Sequence, residues 1–139
     1  MKPLALPLSA LLARALPVDE RFDLVVPVPL HWRKQWRRGF NQSELLARHL
    51  AKRRGIPAVN ALRRKRHTAV QAGLALAGRR RNVAGAFEVR GDMNLSGKRI
   101  LLVDDVMTTG ATAAACASKL KQAGAQSVSL ITLARVDRR

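Results

Sequence analysis

The chain has 139 residues, 47% of them hydrophobic and 4% aromatic, with 26 Lys and Arg against 9 Asp and Glu, for a formal net charge of +17. That length and apolar share fit one globular domain and exclude a disordered polyelectrolyte. No apolar run is long enough for a membrane-spanning helix, and a single cysteine, Cys116, excludes an internal disulfide or a cysteine-built zinc site. The positive excess suits polyanions: nucleic acid, phosphorylated small molecules or acidic proteins. A genome that favours arginine on solvated faces is the plain alternative for any one arginine, though it explains the choice of arginine better than the net imbalance.

In chain order, residues 1–21 read as a helical lead-in, with a short helix from Leu8 or Ser9 that Pro17 stops. Pro3, Pro7 and Arg14 spoil the apolar heart of a secretion signal, so a cytoplasmic protein is expected. Residues 22–28 form the first predicted strand. Pro27 and Pro29 belong at its exit, because proline donates no ladder hydrogen bond. Irregular backbone there would turn N–H groups towards an anion.

Trp32, Arg33, Lys34, Trp36, Arg37 and Arg38 then interleave indoles with cations, a composition that suits a single strand of nucleic acid, unless the indoles pack beneath the loop. Asn41 with Glu44 three residues later is a capping-box variant opening a helix. Leu45, Leu46, Ala47 and Leu50 give it a core stripe, and Gly55 ends it. Arg38 and Gln42 stand where they could point into a site. Residues 56–59 read as a short second strand. Four consecutive basic residues follow at 63–66, then an apolar stretch at 69–77 and a basic cluster containing Arg79, Arg81 and Asn82.

Residues 92–98 form a turn feeding the stretch on which the rest is organised, Arg-Ile-Leu-Leu-Val-Asp-Asp-Val-Met-Thr-Thr-Gly-Ala-Thr at 99–112. Residues 100–103 read as a buried strand with Asp104 and Asp105 at its end. Thr108, Thr109, Gly110, Ala111 and Thr112 form a hydroxyl-rich turn into a helix over 113–123, ended by Gly124. Helix starts favour phosphate, glycine lets backbone approach it, and paired acids accept sugar hydroxyls or lie beside a divalent cation. Together they describe a sugar phosphate site. A mere helix cap would need one acid and no such series of hydroxyls. Residues 127–133 return as a strand, giving a right-handed βαβ unit and a parallel sheet. Residues 137–139 are a basic tail, and Cys116 reads as a small core residue.

The run 99–112 resembles the 5-phosphoribosyl 1-diphosphate (PRPP) signature of type I phosphoribosyltransferases. Further upstream, Val-Pro-Val-Pro-Leu-His-Trp-Arg at 26–33, Arg-Gly-Phe-Asn-Gln at 38–42 and the later Arg, Gln, Asn and Ala-Phe spacing resemble the ComF/GntX family. These phosphoribosyltransferase-like proteins are associated with competence and DNA utilisation. The resemblance implies a single Rossmann-like α/β domain over residues 22–136, with a mostly parallel central sheet and helices on both faces. It implies that Asp104 and Asp105 bind the ribose hydroxyls and that residues 108–112 hold the 5′-phosphate. Pro27, Val28, Pro29 and Leu30 would form the pyrophosphate loop, and the region from Leu62 to Val89 a mobile flap. Arg38, Asn41, Gln42, Arg79 and Arg81 would be further substrate contacts. Trp32, Arg33, Trp36 and Arg37 would be contacts to nucleic acid. Mg2+ would arrive with PRPP near Asp104 and Asp105, with no direct protein cage.

The chain departs from the resembled patterns in two places. Thr108 stands where 6-oxopurine relatives often have an acid, and the cysteine-rich zinc module typical of ComF proteins is missing from these residues. Turnover is therefore an open expectation beside PRPP or ribose phosphate binding. The alternatives are a non-catalytic accessory protein that binds single-stranded DNA, working with a DNA-uptake partner, and a regulator that senses PRPP.

Overall fold

A computed structural model describes residues 20–29, 42–65, 86–107 and 110–135, with backbone alone for 105–107 and 133–135. The expected lead-in helix, the aromatic and basic loop at 30–41, the flap stretch at 66–85, Thr108, Thr109 and the tail lie outside those residues.

The centre is a parallel sheet in the order β1 (Leu24–Pro27), β4 (Arg99–Met107), β5 (Ser127–Arg135). Ile100, Leu101, Leu102 and Val103 are all fully buried, because β4 is central and covered on both faces. An unbroken apolar run, rather than an alternating one, is what such a strand requires. The pleat divides the four residues between two cores. Leu101 and Val103 join Phe22, Val25, Leu46, Ala47, Leu50 and Ala51 beneath α1 (Gln42–Arg54). Ile100 and Leu102 join Val26, Phe87, Ala115, Cys116 and Leu120 beneath α2 (Ala111–Gln122) and the small antiparallel hairpin β2 (Leu62–Arg64) and β3 (Phe87–Val89). Helices therefore cover both faces of a parallel sheet, as expected. Each fully buried leucine contributes roughly 1.5–3 kcal/mol relative to leaving it in water.

Three boundaries differ from the sequence reading. β4 does not end at the acids but runs through Asp104 and Asp105 to Met107, because β5 is long enough to pair with it throughout, Asp104 lying opposite Thr132 and Met107 opposite Arg135. Residues 56–59 contribute only one parallel bridge, Ala58 to Val25, because Pro57 supplies an acceptor to Val25 but no donor. On α1 the buried face is Ser43, Leu46, Ala47, Leu50 and Ala51, while Leu45 is only half-buried, one position round the helix from the stripe. The helix does end before Gly55, which takes φ of 70° and so suits a left-handed cap.

Candidate ligand site

Parallel strands bring their carboxyl ends to one edge, and here β1 and β4 are neighbours in register, Pro27 opposite Val103. The chain leaves β1 through α1 on one face and comes back beside β1 at Ala58. It leaves β4 through α2 on the other face and comes back as β5 on the far side. Such a reversal opens a crevice between the two strand tips, which is where open α/β sheets bind ligands. The proline loop and the acid pair, 77 positions apart from Pro27 to Asp104 in sequence, meet at that crevice.

Asp104 is 8% exposed and is one of two buried polar or charged residues among those described. A buried carboxylate costs several kcal/mol unless it has partners, and this one has them. It lies close enough to Cys116 for its charge to act on the thiol. Of Asp105 the structure gives the strand backbone alone.

Two residues of the expected phosphate turn, Thr108 and Thr109, are outside the described part; Gly110, Ala111 and Thr112 are within it. Gly110 takes φ of 81°, a left-handed conformation that L-residues rarely adopt, and accepts from Ala114 N at 2.9 Å to start α2. No side chain caps this helix and its first turn holds no acid. Ala111, the first residue of α2, has a partner, and the positive end of the helix dipole favours an anion beside it.

The proline loop behaves differently from the expectation of open amides. Pro27 and Pro29 carry no N–H, and the N–H of Val28 donates to Val103 O at 2.8 Å, with the Val28 side chain buried. Residues 27–29 therefore shape the crevice wall and extend the ladder. Any amide offered to an anion by this loop comes at Leu30 or later, outside the described residues, as do Arg38, Asn41, Arg79, Arg81, Trp32, Arg33, Trp36 and Arg37. Gln42 opens α1 at the carboxyl edge, and its Oε1 is buried without a hydrogen-bond partner. A buried acceptor left alone costs about 1–3 kcal/mol, which a ligand donor would relieve.

One side chain was not anticipated. Arg64, on β2, places its guanidinium carbon 4.6 Å from the centre of the Phe87 ring, and its Nε is buried without a partner. Burial pushes the pKa of Arg64 downward, and its positive charge acts on Cys116 from the side opposite in sign to Asp104. The alternation of β2, with Leu62 buried, Arg63 exposed and Arg64 partly covered, is the signal that could have picked it out of four consecutive cations. Burial holds the Cys116 thiol protonated, its pKa pushed up to about 12, so it is a core side chain and not a nucleophile.

Among the described residues no three of His, Cys, Asp and Glu gather as a metal cage. One buried carboxylate just past the end of the β1 pairing fits Mg2+ held mainly by ligand oxygens and water, a coordination this ion prefers. No helix among the described residues is long and apolar enough to cross a membrane.

Comparison with known proteins agrees with this geometry. The family model described as phosphoribosyl transferase domain matches residues 37–139. Competence protein F of Haemophilus influenzae is 38% identical over 115 residues, covering 81% of this chain and 50% of that protein. DNA utilization protein YhgH of Salmonella typhi is 40% identical over 129 residues, covering 92% of this chain and 55% of that protein. The chain thus spans about half the length of the curated relatives it matches, and their names agree with the ComF resemblance. Among solved structures, the glutamine PRPP amidotransferase of B. subtilis aligns with a TM-score of 0.67 at 25% identity, over 95% of this chain and 26% of that one. Adenine phosphoribosyltransferase of Thermoanaerobacter pseudethanolicus aligns with a TM-score of 0.62 at 24% identity, over 93% and 66%. The fold is that of the type I phosphoribosyltransferases, and the chain belongs to the phosphoribosyl transferase domain family.

Proposed function

We propose that the crevice between the tips of β1 and β4 binds PRPP or a related ribose 5-phosphate together with Mg2+. The observation that carries this reading is the placement of Asp104, buried one residue past the last β1–β4 pair and six residues before the left-handed Gly110 that opens α2. Asp104 and Asp105 accept the ribose hydroxyls. Thr108, Thr109, Gly110, Ala111 and Thr112 surround the 5′-phosphate, where the helix dipole and hydroxyl donors favour an anion. Pro27, Val28 and Pro29 wall the pyrophosphate side, with Leu30 the first loop residue after them. Gln42 supplies an acceptor and Arg64 a cation on the flank of the same edge. Mg2+, when bound, neutralises the pyrophosphate oxygens; the protein's own residues orient the ribose and exclude solvent from C1′.

If a nitrogen acceptor is supplied, attack at C1′ with loss of pyrophosphate is the reaction such a site would support. Binding without turnover would make the protein a PRPP sensor instead. The names of the curated relatives favour a setting in DNA utilisation, which this reading places in the cytoplasm and with an uptake partner. There Trp32, Arg33, Trp36 and Arg37 hold single-stranded DNA by stacking and charge, and Arg38, Asn41, Arg79 and Arg81 reach the bound substrate.

A thermal-shift titration with PRPP, with and without Mg2+, tests the binding. Stabilisation that rises with ligand concentration is expected, and it is expected to disappear in Asp104→Asn/Asp105→Asn. A wild-type midpoint that PRPP, ribose 5-phosphate and nucleotides all leave unmoved would sink the reading. Release of pyrophosphate with a panel of nitrogen acceptors then separates an enzyme from a sensor.

A further inference from the structure

The opposite edge of the sheet, where the strands begin, has a chemistry of its own. Parallel topology sends both helices back to it. α1 ends there with Lys52, Arg53 and Arg54, and Arg54 Nη2 donates to Glu20 O at 2.8 Å, just ahead of β1. α2 ends there with Lys119 and Lys121, and Lys121 Nζ donates to Gln126 O at 3.1 Å. The turns leading into β4 and β5 are tied together by Gly97 N to Gly124 O at 2.9 Å and Gln126 N to Lys98 O at 2.8 Å, which fixes Lys98 beside the end of α2. Arg21 precedes β1 at the same edge. Arg21, Lys52, Arg53, Lys98 and Lys121 are all exposed.

What sets this edge apart is the lack of acids to match its cations. On the flanks, cations and carboxylates pair: Arg48 with Glu44 at 2.7 Å, and Arg63 and Lys65 with Glu88. At the amino edge the described acids are Glu20, Asp23 and, in the turn that feeds β4, Asp92, and Asp23 is already engaged by Arg99. Among the described residues none of Arg21, Lys52, Arg53 and Lys121 forms an ion pair with a carboxylate, while Lys98 lies close enough to Asp23 for its charge to act on that carboxyl. The negative ends of two helix dipoles account for cations in the last turns. They do not account for Arg21 or Lys98, which sit on turns. Two half-charges at the helix ends also fall short of five exposed cations.

We infer that the amino edge is a second, separate binding surface, one that takes the phosphodiester backbone of a nucleic-acid duplex. Exposed cations spread over four segments match a ligand with repeated negative charge better than a compact anion. The Phe, Tyr and Trp side chains among the described residues are Phe22 and Phe87, both buried, so the described part of this surface offers no such ring to stack on an unpaired base. Contacts to phosphate alone carry no sequence information, so binding is independent of sequence. The surface faces away from the carboxyl-edge crevice, and one molecule can occupy both at once. The inference does not depend on the ribose phosphate reading.

The test uses the full chain and a fluorescently labelled 20-base-pair duplex, as DNA and as RNA, titrated by anisotropy at a series of salt concentrations. The variant is Lys52→Gln/Arg53→Gln/Lys98→Gln/Lys121→Gln, and the control is the paired flank, Arg48→Gln/Arg63→Gln/Lys65→Gln. With about 0.9 counterion released per phosphate contact, losing four contacts lowers the slope of log K against log salt by roughly 3 to 4. The affinity that wild type loses between 50 and 200 mM salt would then shrink roughly 100-fold in the edge variant, while the flank control keeps most of its slope. Loss with DNA only, or with both duplexes, supports the inference and identifies the source. No duplex binding by wild type, an unchanged slope in the edge variant, or equal competition by poly-glutamate overturns it. PRPP-induced stabilisation is measured in the same variants. Its survival in the edge variant shows that the fold is intact, and its absence in wild type condemns the ribose phosphate reading alone.

Discussion

The two edges of one sheet have been built to opposite ends. At the amino edge the turns are short, hydrogen-bonded to one another and pinned by Arg99, whose Nε and Nη2 both reach the Asp23 carboxylate while its backbone N–H donates to the same group at 2.8 Å. At the carboxyl edge a buried Gln42 oxygen is left without a partner, as is the buried Nε of Arg64 on the hairpin. Satisfied polar groups add stability, whereas unsatisfied ones in a crevice mark where a ligand completes the bonding. Substitutions at the two edges should therefore separate stability from binding.

The largest expected effect lies at the carboxyl edge. Asp104→Asn removes a charge-assisted acceptor worth about 1.5–3 kcal/mol, which is roughly a ten- to hundredfold loss of PRPP affinity. Calorimetric titration measures it, and a denaturation midpoint that falls by as much as the affinity does would erase the distinction between the edges. Next comes Gly124→Ala at the amino edge. Gly124 has φ of 104°, and an added Cβ would sit 3.3 Å from the Ser96 Cα, so a stability loss of roughly 1–3 kcal/mol is expected with PRPP affinity unchanged. Urea unfolding checks the first half and calorimetry the second.

A subtler contrast comes from pH. Hydrogen bonds from the Arg99 side chain and backbone lower the Asp23 pKa from 3.8 to about 2. A depressed carboxylate adds stability that is present above its unfolded pKa and is lost as pH falls through the folded one. The stability difference between wild type and Asp23→Asn should therefore be constant above about pH 5, shrink between pH 4 and 2, and vanish below that. A difference that grows on acidification would have the wrong sign. Smallest of all, Cys116, buried with its pKa pushed up to about 12, should stay unmodified by an alkylating reagent at pH 8 until the protein is denatured. Rapid labelling of native protein would show that the α2 core opens.

Much of this architecture could be read from residue order. Apolar runs located β1 and β4, Gly55 and Gly124 marked the ends of both helices, and Gly110 opened α2 in the left-handed conformation. What could not be read depended on partners distant in sequence. Asp104 and Asp105 look like strand breakers until β5 is seen to run alongside them. Arg64 looks like one of four solvated cations until Phe87, 23 positions later, is placed beneath it. Leu45 looks like core because it is leucine, yet the helix turns it half away from the sheet. In the site, the proximity of Pro27 to the Asp104 strand follows from a register that only the folded sheet sets.

The passage of β4 through Asp104 has an energetic corollary. A carboxylate on a loop must be immobilised when its ligand arrives, at a cost of roughly 1–2 kcal/mol per backbone residue ordered. Asp104 is instead riveted into a ladder before any ligand comes, so that entropy has already been spent during folding. If a ribose phosphate binds here as proposed, its recognition should accordingly resemble a key entering a cut lock, with little local rearrangement on the β4 side.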